Sequence, residues 1–240
     1  AFGPNASEAI DKAFNRIADI EKKMTAKAES SEVISINERA GEGSYIVSSD
    51  TFSVIKKGFY YSKLSKGKFD ITVGPLVNLW GVGTDEARVP TTSEINEALS
   101  LVDYRQVELN ESQKSVFLKK HGMSIDLGGI AKGYAADEVV KVLKQNGVES
   151  GTADLGGNII VLGAKPDGKP WKIGLQNPFD TRGSILATVE VTDKTLVTSG
   201  PYERYLEKNG RRYHHILDTG KGFPVENGLM GVTIISDSSI

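Results

Sequence analysis

The stretch SIDLGGIAKGYAADEVVKVLKQNG, residues 124–147, does most to decide the fold of this chain. It predicts a buried strand over 123–127, a Gly128-Gly129 turn, and a helix with Lys132 in its first turn. The N-terminal end of a helix disfavours a cation by about 0.3–1 kcal/mol. A bound phosphate would remove that conflict, because backbone N–H groups at a helix start bind anions. A close-packed turn explains the two glycines about as well, and Lys132 favours the anion.

Composition sets limits on the class of protein. The chain has 240 residues, 39% hydrophobic and 25% charged, as soluble globular proteins do. Its net charge of −2 gives no basic footprint for nucleic acid, so we expect no nucleic-acid partner. With no cysteine, the chain has neither disulfides nor thiolate chemistry. No apolar run approaches the length that a membrane-spanning helix needs.

Hydrophobic periodicity predicts an α+β protein with interleaved mixed or antiparallel sheets and flanking helices. The predicted helices cover 5–24, 50–64 and 92–100, and a hairpin covers 106–120. The segment 123–127, the following helix and a strand at 151–155 are predicted to form a β-α-β unit. The rest of the chain is β-rich, with predicted strands at 158–164, 171–176, 185–192, 195–199 and 231–236 and a hairpin that turns at Asn209-Gly210.

The sequence Asp-Leu-Gly-Gly occurs twice, at 126–129 and at 154–157. In the first copy, Asp126 could bind a polar ligand group or cap the following helix, and the sequence favours neither. In the second copy a structural role for the two glycines is favoured, because glycine in a strand usually marks a bulge or a close backbone approach.

The segment RYHHILDTGKGFPV, residues 212–225, is the richest in chemistry. His214 and His215 are adjacent on a predicted strand, so they point to opposite faces. A histidine near Asp218 could act as a general base that activates a hydroxyl, although adjacent histidines are more often structural. Thr198 could contact a phosphate, although a turn explains its segment better.

Together and in this order, these segments resemble the ApbE family, the FAD:protein FMN transferases. The resemblance rests on FDITVGPLVNLWG (69–81), IDLGGIAKGYAAD (125–137), DLGGNI (154–159), WKIGLQNP (171–178), TSGPYERY (198–205) and HILDTGKGFPV (215–225). It extends from about Ala6 to the end and implies one ApbE-like domain over residues 1–240. Two departures are Lys27, where an aromatic residue is common, and Pro201, where Asp is common.

The resemblance implies a transferase that binds FAD and Mg²⁺. Such an enzyme passes FMN to a Ser or Thr hydroxyl of a target flavoprotein as a phosphoester and releases AMP. Two alternatives stay open, namely a pyrophosphatase that hydrolyses FAD to FMN and AMP, and a non-catalytic flavin-binding protein.

The resemblance also implies roles for individual residues. His215 would be the general base and Asp218 its orienting partner. The Gly129 carbonyl would be a magnesium ligand. The FAD contacts would come from Lys68, Phe69, Asp70, Asp126, Lys132, Thr198 and Ile216.

Family members are typically exported and lipid-anchored outside the cytoplasmic membrane. We therefore expect an extracytoplasmic, membrane-associated protein whose N-terminal anchor precedes Ala1. The principal metal ligands of the family would follow Ile240, so the sequence is expected to be truncated at both ends.

Overall fold

A computed structural model describes residues 1–26, 30–181 and 183–240. The described residues form two compact units, each built from segments distant in sequence. Unit 1 comprises Ala1–Asp19, Ala131–Gly200 and Leu229–Ile240, and unit 2 comprises Ile20–Ile130 and Pro201–Gly228. The single domain over 1–240 stays a prediction, and Lys27 lies outside the described residues.

Helices and strands alternate irregularly along the chain. The helices are α1 (Ala6–Met24), α2 (Glu32–Glu38), α3 (Ser49–Leu64), α4 (Gly74–Trp80), α5 (Thr92–Leu99) and α6 (Ala131–Gln145). The strands are β1 (Tyr45–Ile46), β2 (Val107–Asn110), β3 (Ser115–Leu118), β4 (Gly151–Asp154), β5 (Asn158–Leu162), β6 (Trp171–Gln176), β7 (Ile185–Val191), β8 (Thr195–Ser199), β9 (Tyr205–Lys208), β10 (Arg211–His214) and β11 (Val232–Ser236). Among the described residues, none of these helices is long and apolar enough to cross a membrane.

Unit 2 contains a sheet of order β1-β3-β2 and the separate hairpin β9–β10. The Gly74-Pro75 pair begins α4, because proline is favoured in the first turn of a helix. Gly81 ends α4 in a left-handed conformation, with φ +56°. Helices α4 and α5 pack around a core whose buried members are Leu76, Trp80, Ile95 and Ala98.

Unit 1 contains a sheet of order β11-β8-β5-β4 and the pair β6–β7, all antiparallel. A core cluster joins the first part of α1, through Ala9 and Ala13, to Val139 and Leu143 of α6 and Leu162 of β5. These layers confirm the predicted α+β class.

The predicted strand over 123–127 is wrong in one respect. Met123, Ile125 and Leu127 are each at most 2% exposed, so the alternating burial is present. However, the segment lies outside the paired strands, and β4 pairs antiparallel with β5 instead of completing a β-α-β unit. The side-chain amide of Asn37 takes the place of a neighbouring strand. It donates to the Ile125 carbonyl at 3.1 Å and accepts from the Ile125 N–H at 2.8 Å.

We predict that Asn37→Ala destabilises unit 2 by about 2–4 kcal/mol, since both buried backbone groups of Ile125 lose their partner. Urea unfolding measures the change. Asn37→Asp keeps the acceptor for the Ile125 N–H but sets a carboxylate oxygen against the Ile125 carbonyl, so it should not preserve the stability that the amide gives. Glu38→Ala, an exposed change on the same helix, is the control. Equal stability of Asn37→Ala and Glu38→Ala would contradict the role of the amide.

A second prediction concerns pH and the first turn of α5. Glu94 completes a capping box with Thr91. Hydrogen bonds from Arg88 and then from Thr91 lower the pKa of Glu94 from 4.5 to about 2. Its stabilising effect is therefore present above pH 4.5 and lost as pH falls toward 2. The stability difference between the wild type and Glu94→Gln should shrink across that interval in urea titrations. In an Arg88→Met background the folded pKa should lie closer to 4.5, so the effect should be smaller and its loss complete at a higher pH. An unchanged profile there would refute the assignment.

Candidate functional site

Three segments meet in unit 2, namely 67–73, 126–129 and 215–225. The N–H of Asp126 donates to the Ile71 carbonyl at 2.9 Å, which joins the first two segments. The Phe69 ring lies against Gly129, where an added Cβ would be 3.1 Å from the ring edge. Glycine at position 129 therefore makes room for the aromatic ring.

The third segment reaches the first through its turn. The Lys68 ammonium lies 3.7 Å from the Asp218 carboxylate, and the Thr219 hydroxyl donates to the Gly67 carbonyl at 2.6 Å. Asp218 also accepts from the N–H of Gly220 at 2.8 Å. The structure thus brings Lys68, Phe69, Gly129 and Asp218 to one part of unit 2.

The two Asp-Leu-Gly-Gly copies each use their carboxylate to close their own turn. Asp126 Oδ1 accepts from the N–H of Gly128 at 2.7 Å, and Asp154 Oδ1 accepts from the N–H of Gly157 at 3.1 Å. The Asp126 contact lies in the turn before α6 (Ala131–Gln145) and does not cap that helix, so both interpretations that the sequence left open for Asp126 stay predictions. Its predicted contact with FAD stays a prediction.

The Asp70 side chain is turned into unit 2 and is 6% exposed. Its carboxylate accepts from the N–H and the hydroxyl of Thr72 at 2.8 and 2.7 Å and from the N–H of Tyr104 at 3.0 Å. Burial raises the pKa of Asp70, while these hydrogen bonds oppose the rise. The described contacts of this carboxylate hold its own turn, through Thr72, and connect that turn to the backbone at Tyr104.

The two histidines have different backbone partners. Nδ1 of His215 donates to the Arg204 carbonyl at 3.1 Å, so Nε2 holds the lone pair when the ring is neutral. His214 lies between the Val225 carbonyl, 2.9 Å from its Nε2, and the N–H of Ile216, 3.3 Å from its Nδ1. The Asp218 carboxylate contacts the Lys68 ammonium and the N–H of Gly220, and its role as orienting partner of His215 stays a prediction.

Unit 1 contains the other two predicted ligand contacts, and both lie at the glycine turn of the second copy. Lys132 Nζ is 3.4 Å from the Gly156 carbonyl. The N–H of Thr198 donates to the Gly157 carbonyl at 2.9 Å, and its hydroxyl hydrogen-bonds that of Thr233 at 2.9 Å. The sequence did not suggest that Lys132 and Thr198 would share this turn.

The residues described do not assemble a metal site from acidic or imidazole side chains. Over 1–26, 30–181 and 183–240, no three His, Cys, Asp or Glu side chains are grouped so that they could hold an ion. The predicted ligand, the Gly129 carbonyl, is a single oxygen, whereas Mg²⁺ requires octahedral coordination. This donor set does not fit Mg²⁺ by itself, and we derive no chemical step through a metal.

Two structural contributors were missed from the sequence. The Arg204 carbonyl holds His215, and a backbone contact of this kind leaves no mark in the sequence. Asp137, the last residue of the IDLGGIAKGYAAD motif, accepts from the N–H of Ser239 and the hydroxyl of Ser238, each at 2.7 Å. The position of Asp137 in this motif could have identified it from the sequence.

Comparison with known proteins gives a consistent result. A model described as the ApbE family matches residues 3–240. The FAD:protein FMN transferase of Klebsiella pneumoniae (strain 342) is 39% identical over 227 residues, which cover 95% of this chain and 70% of that protein. The FAD:protein FMN transferase of Treponema pallidum (strain Nichols) is 34% identical over 244 residues, which cover 96% of this chain and 67% of that protein.

Solved structures agree with the sequence matches. The crystal structure of the ApbE protein from Thermotoga maritima has a TM-score of 0.92 and 35% identity, and the match covers 100% of this chain and 77% of that chain. The flavinyl transferase ApbE of Pseudomonas stutzeri, in its apo form, has a TM-score of 0.85 and 30% identity, with 99% and 73% covered.

We predict that Lys68→Gln changes the free energy of unfolding by less than about 0.5 kcal/mol, because exposed ion pairs contribute little. The side chain of Lys68 in this ion pair is 74% exposed. Asp218→Ala should cost about 1 kcal/mol, since the N–H of Gly220 loses its acceptor. Urea unfolding of both variants, with Lys63→Gln as a surface control, measures this contrast. A loss above about 1.5 kcal/mol for Lys68→Gln would mean that the pair is structural.

Proposed function

This chain belongs to the ApbE family, and on that premise we propose that it is a transferase that moves FMN from FAD to a hydroxyl group of a target protein. The observation that supports the proposal is the family match over residues 3–240. That match includes all three segments that meet in unit 2. The relatives named as FAD:protein FMN transferases are similar over most of the chain, which supports the same activity here.

The proposed reaction has a simple balance. The acceptor oxygen, from a Ser or Thr side chain, bonds to the phosphorus of the FMN half. The bond between that phosphorus and the bridging oxygen breaks, and the bridging oxygen leaves with AMP. The hydroxyl proton must pass to a base, and the product is a phosphoester.

His215 is the residue that we propose as this base. The Arg204 carbonyl holds Nδ1 as a donor, so the neutral ring presents its lone pair at Nε2. A hydroxyl is a weak nucleophile, and a positioned base contributes about 10²- to 10⁴-fold to such a step. Asp218 is proposed to assist from the adjoining turn.

The remaining contacts with FAD are proposed residue by residue. Cations and backbone donors stabilise charge that develops on phosphate oxygens, which suits Lys68 and Lys132. A magnesium ion with the Gly129 carbonyl as one ligand rests on the family resemblance alone, and the proposed step does not depend on it. The other proposed contacts are Phe69, Asp70, Asp126, Thr198 and Ile216.

We further propose that the acceptor belongs to a target flavoprotein, and that the protein acts outside the cytoplasmic membrane as a lipid-anchored enzyme. Both proposals rest on family resemblance alone. Fractionation of cells that express the gene tests the location.

The proposed function is tested by incubating the chain with FAD, Mg²⁺ and a peptide that contains an acceptor threonine. A peptide mass gain equal to FMN in phosphoester linkage supports transfer. Release of AMP without that adduct would identify the chain as an FAD pyrophosphatase. Bound and intact FAD would identify a flavin-binding protein, and either of these results would overturn the proposal.

We predict that His215→Ala lowers the transfer rate at least about 100-fold, because the base is lost. The dissociation constant for FAD should change little, since binding does not require proton transfer. Mass spectrometry of the peptide and flavin fluorescence measure the two quantities. His121→Ala, which replaces the histidine of a distant turn, is the control. Unchanged turnover in His215→Ala would exclude His215 as the base.

A further inference from the structure

We propose that the adjacent histidines are held in opposite neutral tautomers, and that His214 is a positioning residue for the loop over 216–225. The role of His214 in the reaction rests on the proposed function, whereas the assignment of the two tautomers is independent of that function. The inference follows from what each ring nitrogen contacts.

His214 has one tautomer that satisfies both of its contacts. A carbonyl oxygen only accepts hydrogen bonds, so Nε2, 2.9 Å from the Val225 oxygen, must be protonated. A backbone N–H only donates, so Nδ1, which is 3.3 Å from the N–H of Ile216, must hold a lone pair. His214 is therefore the neutral Nε2–H form.

His215 requires the reverse arrangement. Its Nδ1 lies 3.1 Å from the Arg204 carbonyl, so Nδ1 is the protonated nitrogen. The neutral form is then Nδ1–H, with the lone pair at Nε2. Two neighbouring side chains of the same type thus receive opposite assignments from three backbone groups.

The contacts of His214 close the base of a loop. Ile216 and Val225 are the first and last residues of that loop, and the N–H of Val225 also donates to the Ile216 carbonyl at 2.9 Å. The ring therefore bridges both ends of the segment that contains Asp218 and Thr219. We infer that His214 fixes the position of these residues while its own nitrogens are engaged by the backbone.

Nitrogen-15 NMR of the histidine-labelled chain without FAD tests the tautomers. Long-range proton–nitrogen correlations, recorded at a pH where the rings are neutral, distinguish protonated from unprotonated ring nitrogens. The three rings are assigned with His121→Ala and His214→Gln. The expected result is Nε2–H for His214 and Nδ1–H for His215. The same tautomer in both rings, or Nδ1–H in His214, would overturn the proposal.

Three variants of His214 test the positioning role. His214→Asn keeps an acceptor near the place of Nδ1, His214→Gln keeps a donor near that of Nε2, and His214→Phe keeps neither. Amide exchange at Ile216 should accelerate about 3- to 10-fold in His214→Gln and His214→Phe, as expected for one lost hydrogen bond, but not in His214→Asn. Uniform acceleration in all three variants, or none, would contradict the assigned contacts.

The kinetic measurement separates this role from that of the base. In His214→Phe the kcat for FMN transfer should fall about 3- to 10-fold, with KM for FAD changed less than about twofold, because a positioning contact of ordinary strength is lost. A kcat equal to that of the wild type would overturn the positioning role. Absence of transfer in the wild type would instead refute the proposed function and leave the tautomer result valid.

Discussion

The two hydrogen bonds between the Asn37 side-chain amide and the backbone of Ile125 are the constraint on which the site depends. Met123, Ile125 and Leu127 bury one face of a segment that lies outside the paired strands. Buried N–H and C=O groups without partners would cost about 1–3 kcal/mol each. The amide supplies both partners, and the next residue, Asp126, then reaches the Ile71 carbonyl. Gly129 lies beside Phe69 because this backbone path is fixed at Ile125 and Asp126, shortly before it.

A second constraint holds the segment with the histidines. Trp80 is buried, stacks on Tyr213 with ring centroids 5.5 Å apart, and donates from Nε1 to the Gly222 carbonyl at 2.8 Å. Gly222 has φ +73°, and a Cβ there would lie 2.4 Å from Ile95. Only glycine fits both the conformation and the space. The core of α4 and α5 therefore determines the path of the loop that follows His215.

Local patterns were sufficient to predict much of the fold from sequence. Helix α3 and the hairpin β2–β3 follow from periodicity and turn residues alone. The segment 123–127 was misassigned because alternating burial records which face is covered and not what pairs with the backbone. The sequence also could not predict the ring contacts of His214 and His215. Those contacts are with the carbonyls of Val225 and Arg204, which are placed by the tertiary path of the chain.

The two copies of the Asp-Leu-Gly-Gly sequence have the same residues but different local structures. In the second copy Gly156 and Gly157 have φ of +71° and +84°, and the turn leads from β4 into its antiparallel partner β5. In the first copy the Asp126 carboxylate accepts a hydrogen bond from the N–H of Gly128, and the chain continues into α6. A Cβ at Gly128 would lie 2.9 Å from the Asp126 carboxylate, so a larger residue there would displace the side chain that closes the turn. The same four residues are thus required for conformation in one unit and for close packing in the other, so their recurrence alone could not distinguish a ligand site from a turn.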